Sequence, residues 1–301
     1  MTFSVTVPAT TGNLGPGFDC LGAALSIYNC FEFSLAEEFK INATGNGADK
    51  VAKNKSNLVY QSLEKVYDKI DRRRPIVQIN IQTEVPLARG LGSSATAIIG
   101  GLMGGNLLAG EPLSPMEILQ LAVEMEGHPD NVAPAMLGGC QLATTTKTNV
   151  WEYCLITWHK KIAIALAIPD FELSTAKARQ VLPKQVNLKD AIFNASHLAL
   201  LTQALTHGKG QMLETALQDR LHQPYRQSLI PHMEEVQKAA TQAGAYGSVI
   251  SGAGPTLLAL GAPEQIEAIA TAMVDTWQGL GVSATKKIVT IAHQGTTHKQ
   301  I

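Results

Sequence analysis

No stretch of the 301 residues is both long and apolar enough to cross a bilayer. The most apolar one, 95–108, is too short and is interrupted by Asn106. No membrane partner is expected. The opening residues, Met1 to Pro8, lack the basic and apolar regions of a signal peptide. Cysteine is scarce: Cys20, Cys30, Cys140 and Cys154 show no metal-site spacing and sit in apolar surroundings. That pattern points to free buried thiols in a reducing compartment, not to disulfides or zinc, and a cytoplasmic protein is expected. Charge of one sign is missing as well. The net charge is −1, and the only basic block is Arg72-Arg73-Arg74. It ends a predicted helix, where cations suit the negative dipole end, so no nucleic-acid partner is expected. Internal repeats and low-complexity segments are absent.

What remains is a globular composition, 45% hydrophobic and 16% charged, in a chain long enough for two domains. A boundary is expected near 158/159, giving units of 1–158 and 159–301. Alternating or apolar runs predict strands over 3–7, 25–36, 39–43, 76–82, 138–146, 151–158 and 161–169. The last is apolar throughout and should lie centrally in a sheet. Helical spacing is expected over 57–70, 95–108 and 115–125, the third opened by Ser114 as cap with Pro115 and Glu117 behind it. Further on, helices are expected over 174–181, 188–206, 211–217, 232–243 and 263–277. Strands flank a glycine turn within 246–260, and 281–292 closes the chain. In the helix after residue 95, Gly100, Gly101, Gly104 and Gly105 form two rows four apart, which suits close backbone packing.

Three stretches stand out. Pro86-Leu87-Ala88-Arg89-Gly90-Leu91-Gly92-Ser93-Ser94-Ala95-Thr96 leads from a strand into a helix. A Gly/Ser turn at a helix N-terminus offers unpaired N–H groups and positive dipole to phosphate; a plain turn capped by Ser93 or Ser94 is the alternative. Pro8 to Asp19, with three glycines and two prolines, is expected as an irregular loop whose Thr11, Asn13 and Asp19 either line a pocket or simply connect. Glu124 to Pro134 gathers Glu124, Glu126, His128, Asp130 and Asn131 where a helix must end. Its carboxylates suit a magnesium ion, or else are merely solvated beside a turn.

Gly90-x-Gly92-x-x-Ala95 also fits the dinucleotide fingerprint, but no strand ending in a ribose-binding acid follows the helix. A Walker A loop is excluded because no Gly-Lys-Ser/Thr is present, and protein-kinase signatures are missing too.

The segment Pro86-x-x-x-Gly90-Leu91-Gly92-Ser93-Ser94-Ala95 resembles the ATP loop of the GHMP kinases. The N-terminal loop with Asn13 and the Ser251-Gly252-Ala253-Gly254-Pro255 turn resemble that family's first and third motifs, in order. Gly12 to Asp19, His128 to Pro134, Thr175 to Arg179 with Val181-Leu182-Pro183, and Pro224-Tyr225-Arg226 with Leu229-Ile230-Pro231 are most similar to the family's homoserine-phosphorylating members. The resemblance implies an α+β, two-domain GHMP kinase fold. Its N-terminal domain would be like domain 2 of ribosomal protein S5 and its C-terminal domain ferredoxin-like, often in a homodimer. It implies transfer of the ATP γ-phosphoryl to the side-chain hydroxyl of L-homoserine, giving O-phospho-L-homoserine for threonine synthesis. Another small-alcohol kinase, or a non-catalytic binding protein of the same fold, remains open.

By that resemblance Pro86 to Thr96 cradle ATP, with the hydroxyls of Ser93 and Ser94 near phosphate and Mg²⁺. Glu126 is the first choice for the metal carboxylate and Glu124 the second. Arg179 and Arg226 match the family's carboxylate-binding arginines, for which a bidentate guanidinium is suited. Asn13, Asp19, His128, Asn131 and Thr175 would hold the rest of the acceptor. Asp130 is the candidate base, unless no side chain acts as a full base and the hydroxyl proton passes to phosphate as the bond forms.

Overall fold

The structure is a computed structural model that describes residues 2–148 and 150–301. In chain order its elements are β1 (Thr2–Asn13), β2 (Gly17–Leu35), β3 (Lys40–Gly45), α1 (Leu58–Lys69), β4 (Val77–Thr83), α2 (Ser93–Leu108), α3 (Pro115–Glu126), α4 (Pro129–Leu137), β5 (Cys140–Thr145) and β6 (Trp151–Ile156). The second half continues with β7 (Ala163–Pro169), α5 (Thr175–Gln180), α6 (Leu188–His207), α7 (Gly210–Ala216), α8 (Gln223–Arg226), α9 (Met233–Gln242), β8 (Gly247–Ile250), β9 (Leu257–Gly261), α10 (Ile266–Gly279), β10 (Ala284–Val289) and β11 (Thr297–Gln300).

The first sheet has seven strands, ordered β11-β1-β2-β4-β3, with β5 joining β2 and β6 joining β5. One face carries α1 to α4 over a core that includes Phe31, Phe33, Ile79, Ile98, Ile99 and Leu119. The glycine rows of α2 explain how closely it packs. A methyl at Gly100 or Gly104 would lie 2.5 or 2.3 Å from the rings of Phe31 and Phe33. One at Gly101 would lie 2.2 Å from the Val59 carbonyl oxygen of α1. The helix thus touches the sheet with one row and α1 with the other.

The second sheet is antiparallel, ordered β10-β7-β9-β8. Strand β7 is internal and its two faces are buried differently. Ile164, Leu166 and Ile168 meet α6, α7 and residues of the first sheet, whereas Ala165 and Ala167 lie under α9 and α10. A strand covered on both faces needs apolar residues on both, which the unbroken apolar run of β7 supplies.

Several expectations need correction. The stretch 8–19 is not an irregular loop: it is the end of β1 and the start of β2, joined by a tight connection at Leu14 to Pro16. The register shifts there, between Pro8 and Ala9 and between Gly12 and Asn13, because β2 carries extra residues at both points while β1 runs on without a break. The sequence after His128 is a helix, α4, in place of a turn; His128 is its N-cap and Pro129 its first residue. Strand β11 was not foreseen, and it pairs with β1, so the segment 159–301 does not stay in one sheet. Of the four free thiols only Cys140 is buried, and Cys154 is exposed.

Candidate active site

A cavity of about 230 Å³ opens where the two sheets' connecting segments meet. Its wall brings together Asn13, Asp19, Glu126, His128, Asp130, Asn131, Thr175, Arg179 and Arg226 with Ala88, Gly90, Gly92, Ser93 and Ser94.

The Gly/Ser turn forms one side. Gly92 precedes α2 in a left-handed conformation, φ 70°, and a methyl there would lie 1.9 Å from the Thr10 hydroxyl. The first turn of α2 therefore faces the cavity with its N–H groups and positive dipole end. No residue of this first turn is acidic. Not all of 86–96 reaches the cavity. Arg89 turns away: its Nε donates to the Pro169 carbonyl at 2.8 Å, its Nη1 to Leu87, and its Nη2 to Asp170. Pro86 and Leu87 line a separate cleft with Arg89. Leu91, Ala95 and Thr96 are buried, and Thr96 is tied to Ser93 and Asn29. These side chains hold the turn's shape and do not meet the cavity.

The Ser251–Gly254 turn supports the loop from behind. Ser251 Oγ donates to the Gly90 carbonyl at 2.7 Å and lies within hydrogen-bond distance of Thr11 Oγ1, at 2.9 Å. A methyl at Gly90 would lie 2.2 Å from the Ser251 carbonyl oxygen, so the two turns touch backbone to backbone. Beyond Ser93 and Ser94 an apolar cleft runs past Ala97, Leu58, Val59, Phe31 and Ile81. No sequence signal singled it out, because its residues read as ordinary core and cap positions.

Glu126 ends α3 and Gly127 stops the helix in a left-handed conformation, φ 88°. Ser94 Oγ donates to Glu126 at 2.7 Å. Burial pushes the Glu126 carboxyl above its ordinary value, partly offset by that hydrogen bond and by His128. Glu124, two residues back and so on another helix face, is exposed and accepts from Gln120 at 3.1 Å. Ser93 lines the cavity, but it is Ser94 that contacts Glu126.

His128 Nδ1 lies 2.5 Å from Asp130 Oδ1. Burial opposes a charged imidazole, yet the bond and charge of Asp130, helped by Asp19 and Glu126, raise the His128 pKa. The Asp130 side chain is 1% exposed and His128 10%, so the imidazole is the more accessible of the two. Asp19, His128 and Asp130 each offer a ligand atom within 4.8 Å of the others. Asn131 accepts from Thr10 at 2.8 Å. Asn13 Nδ2 donates to the Gly252 carbonyl at 2.8 Å, and its Oδ1 accepts from the Asp19 N–H.

Two glycines let α4 approach this hairpin. A methyl at Gly22 would fall 1.7 Å from the Asp130 carbonyl oxygen, and one at Gly12 2.2 Å from Asp130 Oδ2. Across the cavity Arg179, on α5, binds Asp19 through two hydrogen bonds of 2.7 and 3.1 Å. The two residues expected to take opposite ends of the acceptor therefore pair with each other. Thr175 opens α5 behind its cap, Ser174. Arg226 is almost fully buried at the end of α8.

Two family models match the chain: "GHMP kinases N terminal domain" over residues 57–139 and "GHMP kinases C terminal" over 201–279. The chain is 53% identical to a homoserine kinase of a Synechococcus species, covering 100% of this chain and 99% of that protein. It belongs to the GHMP kinase family, in its homoserine kinase branch. A homoserine kinase of Trichormus variabilis is 55% identical, with 98% of each chain covered. The crystal structure of homoserine kinase from Cytophaga hutchinsonii superposes with a TM-score of 0.87 at 28% identity, covering 99% of this chain and 97% of that one. The architecture is the two-domain GHMP kinase fold, and the chain is a phosphotransferase of that family. Among the described residues no helix is long and apolar enough to cross a membrane.

Proposed function

We propose that this chain catalyses the ATP-dependent phosphorylation of the L-homoserine side-chain hydroxyl. The observation that carries the reading is a single cavity shared by the Gly90–Ser94 turn, two arginines and the Asp19–His128–Asp130 cluster. A zwitterionic amino acid needs cations for its carboxylate and an anion for its ammonium group, and a phosphoryl donor needs the helix end. Arg179 and Arg226 take the carboxylate, and Asp19 with Asn13 the ammonium group. His128, Asn131 and Thr175 hold the hydroxyl end.

The triphosphate lies along Gly90 to Ser94, and the nucleoside in the apolar cleft beside Leu58, Val59 and Ala97. The unit built mainly from 1–158 thus binds the nucleotide, and 159–301 supplies the arginines. The donor set suits magnesium: a half-buried carboxylate, Glu126, stands with the hydroxyls of Ser93 and Ser94, all of them oxygen donors. Bound there, Mg²⁺ would neutralise charge on the phosphates. The hydroxyl oxygen attacks the γ-phosphorus, the bond to the β-phosphate oxygen breaks, and ADP leaves. Asp130 is the candidate acceptor of the hydroxyl proton, with His128 hydrogen-bonded to it. No strong base is required when positioning and charge neutralisation supply most of the catalysis. A homodimer and a place in threonine synthesis complete the proposal.

ADP release from ATP and Mg²⁺ is the test, run with L-homoserine against a panel of small alcohols. Homoserine-dependent release supports the reading. Release with another alcohol only, or none at all, overturns it.

A further inference from the structure

Arg226 is 2% exposed yet touches no carboxylate among the described residues. Its Nε donates to the Ala178 carbonyl at 3.2 Å, and its Nη1 to the Gly252 carbonyl at 3.1 Å and to His222 Nδ1 at 3.2 Å. Burial, with the like charge of Arg179, pulls its pKa down to about 10 against the pull of Asp19, Asp130 and Asp219. A buried cation without a counter-ion is costly, which fits a site built to receive an anion.

His222, four residues earlier, is fully buried and fixed on every side. Its Nε2 lies 2.9 Å from the Gly15 carbonyl oxygen. A carbonyl only accepts, so Nε2 carries the proton and Nδ1 is left to accept from the guanidinium. The imidazole stacks on Phe18, with centroids 5.2 Å apart, and that ring also faces the guanidinium of Arg226 at 5.4 Å. Asp219 holds the backbone of the segment, accepting from the N–H groups of Leu221, His222 and Gln223 and from Asn194.

We propose that His222 is a positioning residue for the acceptor's carboxylate: as a neutral imidazole it holds Arg226 through Nη1, so that Nη2 of the guanidinium is presented to the cavity. The role rests on the reading of Arg226 as the carboxylate's partner. A protonated imidazole would oppose an N–H to an N–H and break the arrangement. The groups facing the ring are Asp219 on its own segment, Arg226 on α8 and Asp19 on β2. Burial is the largest influence, and together with Arg226 it outweighs the two carboxylates and the Gly15 carbonyl and keeps the ring neutral.

Two polar substitutions separate positioning from packing. H222N retains an acceptor where Nδ1 stands; H222Q keeps the donor towards Gly15 and removes that acceptor. Steady-state kinetics on the full chain should show the H222Q KM for L-homoserine raised about tenfold, the loss of one charge-assisted hydrogen bond. The KM for ATP should stay unchanged and kcat within about twofold, with H222N close to the parent. Turnover of 2-amino-1,4-butanediol, which lacks the carboxylate, should be unaffected by H222Q. R226Q should raise the homoserine KM further, and H222Q should add nothing to it. Equal rises in both KM values, or equal losses in H222N and H222Q, mean packing alone and overturn the proposal. So does an R226Q effect without an H222Q effect, which leaves the reading of Arg226 standing. An R226Q enzyme with unchanged homoserine KM overturns both.

Discussion

Arg179 grips both carboxylate oxygens of Asp19, at 2.7 and 3.1 Å, and so links α5 to the start of β2 beside the cavity. The side chains are 37% and 33% exposed. At that exposure the pair is worth at most about 1 kcal/mol to stability. R179A should therefore melt within a few degrees of the parent. Its KM for homoserine should rise about tenfold or more with little change for ATP, since a charge-assisted pair to the carboxylate is lost. D19N should do the same through the ammonium group. Equal effects on both substrates would assign the pair a structural role only.

Glu126 is expected to show activity and stability pulling apart. Its carboxyl pKa is raised by burial, so ionising it in the folded protein costs free energy at neutral pH. That cost is present above the raised pKa and vanishes below the ordinary carboxyl range, where the group is neutral in both folded and unfolded chains. E126Q should thus leave the thermal midpoint of the ligand-free protein unchanged or slightly higher at pH 7 and have less effect at pH 4. Turnover should fall by about 10²-fold or more, as for loss of a charge-stabilising group. Calorimetry and ADP release check the two halves.

His128 is hydrogen-bonded to the Asp130 carboxylate. The raised His128 pKa means that the pairing stabilises the fold fully below the ordinary histidine value and loses that contribution as pH rises through the raised one. In D130N burial remains and the carboxylate is gone, so the His128 pKa should drop, read by NMR of the imidazole. If Asp130 is the base, turnover should fall by about 10²–10⁴-fold. A mutant with near-normal kcat would mean that the hydroxyl proton passes to phosphate as the bond forms, with no side chain as base.

Gly12 and Gly22 should respond differently to alanine. At Gly12 the added methyl meets the Asp130 side chain, which can shift; at Gly22 it meets the Asp130 backbone oxygen at 1.7 Å, inside α4. G22A should therefore cost about 1–3 kcal/mol or more of stability by denaturant melting. G12A should keep more stability while losing turnover, because it displaces the carboxylate itself. The reverse order would count against the placement of α4.

Much of the fold was legible because it rests on short-range patterns. Ser114 as the cap of α3, with Pro115 and Glu117 behind it, and the apolar run of β7 are each read within a few residues. Misreadings fell where tertiary contacts override local chemistry. Pro8, Gly12 and Gly15 look like loop punctuation, yet pairing with β2 draws all but the last into a strand. His128-Pro129-Asp130 looks like a turn but caps a helix, because α4 packs on the glycines of that hairpin.

The sequence by itself determined the Gly/Ser turn at the start of α2, the proposed phosphate site, since Gly90, Gly92 and Ser93 build a helix N-terminus from neighbouring residues. It also supplied the groups of the proposed acceptor site, Asp19, His128, Asp130, Arg179 and Arg226. Only the tertiary structure decided which groups meet. Asp19 reaches Arg179 over 160 residues, Ser94 reaches Glu126 over 32, Gly15 reaches His222 over 207, and Arg89 is drawn away to Pro169. Such pairings depend on how the two sheets are assembled, and no local periodicity carries that information.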